Sequence, residues 1–169
     1  MSFKSVIAVC LALVVTACSS NPFMVTTSNC PAVAVLANSG TLTRFAGAER
    51  NADDVAFNAS ITGINTKCDE GKDVTLDMTF AIVASRGPAF QGGTVRVPYF
   101  VALMRDNHLI TAKKIYEAEL TFSEGSDRAA VREHVIQHFE DVAIARRYDY
   151  ELIIGFQLTP DEITYNVLR

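Results

Sequence analysis

Two histidines lie four residues apart in the C-terminal third of the chain, and imidazole nitrogens are common metal ligands. His134 and His138 would share one side of either a helix or a strand, with Glu133 and Glu140 close by in sequence. A zinc site needs a further ligand, and Glu133 precedes the first histidine, whereas the glutamate of the zinc-protease helix motif follows it. The pair is therefore a weak metal candidate, and solvent-exposed histidines are the simpler interpretation.

A second group of candidate ligands is acidic. Asp69, Glu70 and Asp73 surround Gly71, a composition that could hold calcium. The EF-hand spacing is absent, and acidic turn residues need no ion. The chain also contains no glycine-flanked serine elbow and no phosphate-cradling loop. We therefore expect no enzyme activity and no cofactor.

The segments that must position these residues are strands. The clearest alternation of apolar and polar residues runs from Val74 to Ile82, and this period of two is typical of a strand with one buried face. Further strands are expected at 31–36, 41–45, 55–62, 95–103, 109–122 and 148–158. Residues 65–73 are predicted to form a loop. Pro98 should lie at an edge or a bulge, because it cannot donate to a ladder.

Residues 128–143 fit two structures. Val131, Val135, Phe139 and Val142 form a helical stripe, while a strand would pair with neighbours on both sides. We favour the strand because the other elements are strands.

The C-terminus carries a helix-start signal, Thr159-Pro160-Asp161-Glu162. We expect a short helix with Ile163 and Val167 facing the sheet. Several short strands separated by turns predict an all-β fold, an immunoglobulin-like antiparallel β-sandwich with this short C-terminal helix. The chain has no Trp, so the tryptophan of antibody domains is missing.

The N-terminal segment is laid out like a secretory signal. Lys4 precedes an apolar run from Val6 to Val15, which ends in small residues. A membrane-spanning helix needs about 20 apolar residues, so this run is too short for a permanent anchor.

Val15-Thr16-Ala17-Cys18 resembles the lipobox of bacterial lipoproteins, which is an aliphatic residue, two small residues and the modified cysteine. The resemblance covers only this region. It implies a signal peptide at 1–17, a diacylglyceryl group and further acylation at Cys18, and a lipidated tether at 18–29 before a domain at 30–169. Several acyl chains would bind a membrane almost irreversibly. Because Ser19 is not the aspartate that retains such proteins at the inner membrane, the resemblance favours the periplasmic face of the outer membrane.

The four cysteines lie in different parts of the chain, and their expected roles differ accordingly. Cys10 lies in the signal, and Cys18 carries the lipid. Cys30 and Cys68 remain, an even number in an oxidising compartment, and we predict a disulfide between them.

The function class follows from charge and motifs together. The net charge of −4 argues against a nucleic-acid partner. We expect an envelope lipoprotein that works by protein–protein contact, with the strand holding Pro98 and the apolar residues Phe100 and Met104 as its surface. One alternative is a glycan or small-molecule binding module with clustered Tyr99, Tyr116 and Tyr148. The other alternative is a metal-dependent hydrolase built on the two histidines.

Overall fold

The computed structural model describes residues 30–140 and 150–168. These residues form eight strands, a short 3-10 helix at Ala52–Asp54, and one α-helix, α1, at Pro160–Leu168. The strands are β1 Ala32–Val35, β2 Thr41–Phe45, β3 Val55–Glu70, β4 Val74–Arg86, β5 Thr94–Arg105, β6 Leu109–Thr121, β7 Arg128–Phe139 and β8 Glu151–Phe156. Residues 1–29, which include Cys10 and Cys18, and residues 141–149, which include Val142 and Tyr148, lie outside the described residues, as does Arg169.

The strands form two four-stranded sheets. Sheet A has the order β1-β8-β5-β6, and sheet B has the order β2-β3-β4-β7. The predicted all-β sandwich with a C-terminal helix is confirmed. One pair departs from the antiparallel rule, because β1 runs parallel to β8.

The strand pairing at the centre follows the immunoglobulin pattern. The chain crosses between sheets from β4 to β5 and again from β7 to β8, and β4 pairs with β7 while β5 pairs with β8. In an immunoglobulin domain, strands B and E and strands C and F are neighbours in the same way. The outer strands differ, because β2, β3 and β4 form a meander on one side.

The core lies between the sheets and is built from the inward side chains of both. Alternate residues of β4 are buried along most of its length, as the sequence pattern predicts. The largest fully buried side chains are Tyr99, Phe80, Phe156, Leu42, Leu76, Met78, Ile82, Leu120, Leu152 and Ile154. Burial of this apolar surface is the main force that holds the sheets together.

The predicted loop at 65–73 is wrong for most of its length, because β3 continues to Glu70. Its pairing with β4 shifts between Thr62 and Asn65, and Gly63 there has a φ of 63°. A bulge adds one residue to the strand and so reverses which residues face the core. The alternation of the first half therefore fails in the second half, although the strand continues.

The prediction that Pro98 lies at an edge or bulge is also wrong. Its strand, β5, has β8 on one side and β6 on the other. The carbonyl of Pro98 accepts from the N–H of Gln157 at 2.9 Å, so its backbone polar groups face β8. That strand ends at Phe156, and the missing N–H of Pro98 therefore falls where the ladder ends.

The segment from Arg128 to Phe139 is a strand, as favoured from its context.

The hairpin between β5 and β6 turns through Asp106 and Asn107 with φ values of 53° and 58°. Two successive positive φ angles are typical of the type I′ turn that matches strand twist.

The capping box of α1 is confirmed. The N–H and hydroxyl of Thr159 donate to Glu162 Oε2 at 2.8 Å and 3.0 Å. The expected inward face of the helix is wrong, because Ile163 and Val167 are exposed, while Glu162 is buried at 6% exposure. Glu162 tolerates this burial because its other oxygen lies 3.0 Å from Arg44, and a buried carboxylate needs a partner.

The predicted disulfide is present, with Cys30 and Cys68 joined. Cys30 immediately precedes the residues leading into β1, and Cys68 lies on β3. The bond therefore links the two sheets at one end of the sandwich.

Candidate binding surfaces

The most unusual polar contact lies between the sheets. Tyr99 of β5 donates its hydroxyl to Glu133 Oε2 at 2.7 Å, across to β7. Tyr99 is 1% exposed. Burial, followed by the Glu133 carboxylate, raises the pKa of the Tyr99 phenol above its ordinary value. The phenol therefore stays protonated and acts as a hydrogen-bond donor, which makes it a poor base or nucleophile.

Aromatic neighbours fix the position of Tyr99. Its ring stacks on Tyr116 with centres 5.2 Å apart and meets Phe80 edge-on at 5.6 Å. The ammonium of Lys114 lies 4.9 Å from the centre of the Tyr116 ring. Tyr99 thus packs within the core, and the partly buried Tyr116 packs against it.

The cavity beside this cluster is small. It measures about 140 Å³ and lies where β6 and β7 meet, lined in part by Lys114, Tyr116 and Gln137. Ligand pockets usually have volumes of about 300–1,000 Å³. The cavity is therefore too small for a sugar-sized ligand.

The two histidines lie on the outer face of sheet B, each beside its own acid. His134 Nε2 is 2.8 Å from Asp77 Oδ1, and His138 Nε2 is 3.4 Å from Asp73 Oδ2. His138 Nδ1 also lies 3.0 Å from Thr75 Oγ1. At about 3.3 Å per strand residue, the two histidines are about 13 Å apart, too far to ligate one ion.

The acidic residues considered for calcium are likewise divided among partners. Asp73 faces His138, while Glu70 Oε1 lies 2.9 Å from the sulfur of Cys30. The possible ligand atoms of Cys30, Cys68 and Glu70 lie close enough together to hold a metal ion. Both sulfurs are joined in the disulfide, however, so they offer no thiolates.

A larger depression lies on the outer face of sheet B. Its volume is about 460 Å³. Its side chains are mainly hydroxyl, amide and guanidinium groups, contributed by Thr41, Thr43, Asn58, Ser60, Ser85 and Arg128. Asn58 Oδ1 accepts from the Thr43 hydroxyl at 2.9 Å. Hydroxyl, amide and guanidinium groups suit a polyhydroxylated or anionic ligand.

The remaining candidate surface is the free edge of sheet A. The last strand, β6, has 13 residues, and among residues 30–140 and 150–168 it pairs with β5 on one side only. Three of the exposed large hydrophobic residues of the described chain lie on it: Leu109 at 42%, Ile110 at 55% and Ile115 at 57% exposure. Unpaired edge strands are templates for pairing with another chain, and proteins usually shorten or block them.

This edge corrects the surface expected from the sequence. Phe100 is buried at 7% exposure, with the Lys113 ammonium 4.3 Å from its ring centre, and Met104 is half-buried. The open strand is β6, next to the strand that holds Pro98.

Comparison with known proteins gives no relative. No family model, no curated protein and no solved structure matches the chain. Among the described residues, no helix is long and apolar enough to cross a membrane.

Sequence reasoning missed the role of Glu133, which it treated only as a neighbour of the histidines. Once 128–139 is read as a strand, Glu133 shares its face with Val131, Val135 and Phe139. A carboxylate in an apolar row is the signal that could have identified it, because a buried carboxylate needs a partner.

Proposed function

We propose that this protein is a lipid-anchored lipoprotein of the bacterial envelope. Its sandwich domain would act as a structural or accessory module, by protein–protein contact and without catalysis. The favoured location is the periplasmic face of the outer membrane.

Two features support this location. The sequence places the lipobox-like Val15–Cys18 directly after a short apolar run. The domain contains the Cys30–Cys68 disulfide, and disulfides persist in oxidising compartments such as the periplasm.

The observation that carries the proposed mode of action is the open edge of β6. It is long, free of proline and exposes Leu109, Ile110 and Ile115. Of the other edge strands, β1 has only four residues, and β2 is short and contacts α1. The edge strand β7 has 12 residues but only one exposed large hydrophobic residue, Ile136. An extended partner segment could add to β6 through main-chain hydrogen bonds, a common mode of recognition.

The anchor is tested by mass spectrometry and fractionation of the native product. We expect a lipidated Cys18 at the new N-terminus, and Cys18→Ala should move the protein out of the membrane fraction. An unmodified thiol at residue 18 would refute the anchor.

The contact surface is tested by placing a photo-crosslinking amino acid at Ile115 in intact cells. Lys67, exposed on sheet B, is the matched control position. We expect protein adducts at 115 and few at 67. Adducts at neither position, or equally at both, would contradict the use of β6.

The depression on sheet B supports a second candidate function, the binding of an acidic or neutral sugar. Titration of isotope-labelled protein with glucuronate should shift the NMR signals of Ser60, Ser85 and Arg128. Arg128→Ala should abolish these shifts. Unchanged spectra at millimolar glucuronate would rule out this acidic sugar as a ligand.

A further inference from the structure

The edge strand β6 carries a charge pattern that fits a second copy of itself. Its outward side chains have a basic residue, Lys113, on one side of Ile115, and two acidic residues, Glu117 and Glu119, on the other. The strand midpoint is Ile115, because β6 runs from Leu109 to Thr121. An antiparallel pair of identical strands related by a two-fold axis at the midpoint brings each basic half against the acidic half of its partner.

The backbone of β6 presents the correct groups at this edge. The N–H of Phe122, which follows β6, donates toward β5 at Gly93, and polar groups alternate sides along an antiparallel strand. From Ala112 to Thr121 the even-numbered residues of β6 therefore face β5, and the odd-numbered residues point their N–H and C=O groups to the free edge. The pairing with β5 shifts by one residue before Ala112, so Leu109 and Ile110 do not follow this rule. Ile115 and Lys113 are among the odd-numbered residues.

From this geometry we infer that the β6 edge binds the β6 edge of a second copy of this chain, which joins the two A sheets into one continuous sheet. The inference rests on the proposed use of this edge for protein contact, and it names the partner. In this register Ile115 lies opposite Ile115 of the second copy. Lys113 lies opposite Glu117, and Ala112 lies opposite Ala118.

This register is better than its neighbours on physical grounds. It pairs the regular stretch from Ala112 to Ala118 with its copy, and it sets opposite charges directly across from one another, an arrangement that stabilises antiparallel sheets. Shifting the register by two residues in either direction, which keeps the hydrogen-bonding groups facing each other, places Ile115 opposite Lys113 or opposite Glu117. A further step sets Lys113 against itself or Glu117 against itself, and like charges directly opposite destabilise a pair.

The existing contacts of the two acidic residues are compatible with this pairing. Arg96 of β5 lies closer to Glu119, at 3.1 Å, than to Glu117, at 3.7 Å. Glu117 is therefore the acid more available to a lysine from the second copy. On the inner face, Lys114 would lie opposite Tyr116, and a cation beside an aromatic ring is favourable.

A cysteine at the two-fold axis tests the register in the full-length, lipidated chain in intact cells. Residues opposite each other in a hydrogen-bonded pair have Cα atoms about 5.5 Å apart, which is within disulfide range. We expect Ile115→Cys to form a disulfide-linked dimer on a non-reducing gel. Glu119→Cys is the control, because its two copies would lie about 26 Å apart along the strands, and it should stay monomeric.

The result separates this inference from the proposed function. An Ile115→Cys chain that remains monomeric, or that links no more than Glu119→Cys, overturns the dimer. A disulfide from residue 115 to a different protein overturns the dimer but supports contact through β6. In the photo-crosslinking experiment at the same position, an adduct to a second copy of the chain supports the dimer. An adduct to a different protein supports contact through β6 without the dimer, and no adduct contradicts both.

Charge exchange gives a second test, on purified lipidated protein in detergent, by sedimentation equilibrium. Lys113→Glu should weaken the dimer about tenfold, because a like pair replaces an opposite pair twice in the interface. Adding Glu117→Lys to that variant should restore it. Lys72→Glu, in the turn after β3, makes the same charge change away from the interface and should have no effect. Equal weakening by Lys72→Glu, or no restoration in the double variant, would contradict the pairing.

Discussion

Removing one hydroxyl from the centre of the sandwich should lower stability in a pH-dependent way. Tyr99→Phe keeps the ring that packs between Phe80 and Tyr116 and deletes only the donor to Glu133. The carboxylate is then left half-buried without that donor. Hydrogen bonds to charged groups contribute about 1.5–3 kcal/mol, so we expect a loss of about that size at pH 7.

The loss should shrink as the solution becomes alkaline. Because the pKa of Tyr99 is raised in the folded protein, its proton is held more tightly there than in the unfolded chain. The resulting stability is fully present below the ordinary tyrosine pKa of about 10 and declines above it. By pH 11 the free energy of unfolding of the wild type should fall by about 1.4 kcal/mol through this residue alone. Tyr99→Phe has no phenol at this position and should show no such fall.

Urea denaturation at pH 7, 9, 10 and 11 measures the gap in the free energy of unfolding between the wild type and Tyr99→Phe. We expect a constant gap up to pH 9 and a narrowing of about 1.4 kcal/mol by pH 11. Tyr165→Phe on α1 is the matched removal of a phenolic hydroxyl and should change stability at pH 7 by less than about 0.5 kcal/mol. A gap between wild type and Tyr99→Phe that is the same at pH 7 and pH 11 would falsify the reasoning.

Three further changes test the fold. Replacing both Cys30 and Cys68 by serine should cost about 4 kcal/mol in the chain-entropy treatment of the loop they close, measured by denaturation; a loss below about 1 kcal/mol would contradict it. Gly87→Ala should cost about 1–3 kcal/mol, because its Cβ would clash with the backbone oxygen of Val55 in β3. Gly92→Ala, with open space around it, should be neutral, and equal melting temperatures for the two would contradict this. Thr159→Ala should cost about 1 kcal/mol through the lost cap, seen as a lower melting midpoint; an unchanged midpoint would mean the cap is dispensable.

Alternation alone predicted the sandwich because most strands bury one face. The row from Val74 to Ile82 follows this rule. The rule failed at β3, where a bulge at Gly63 reverses the inward face. A pattern with a fixed period of two cannot account for an inserted residue.

The surfaces were harder to predict than the core. Phe100 faces away from the core and is nevertheless buried, since Gly155 of β8 allows close approach: a Cβ there would lie 2.9 Å from the Phe100 ring. Which strand forms an edge depends on pairing between distant segments. The sequence around Pro98 marks a missing donor, and it does not show that β8 ends beside it.

The disulfide has a mechanical consequence under the proposed anchoring. A pull on the N-terminal tether reaches Cys30 before it reaches β1. The covalent bond passes that load to Cys68 in β3, a central strand of sheet B. The four-residue β1, whose strand partner is β8, is thereby protected from being peeled away when the membrane and the domain move apart.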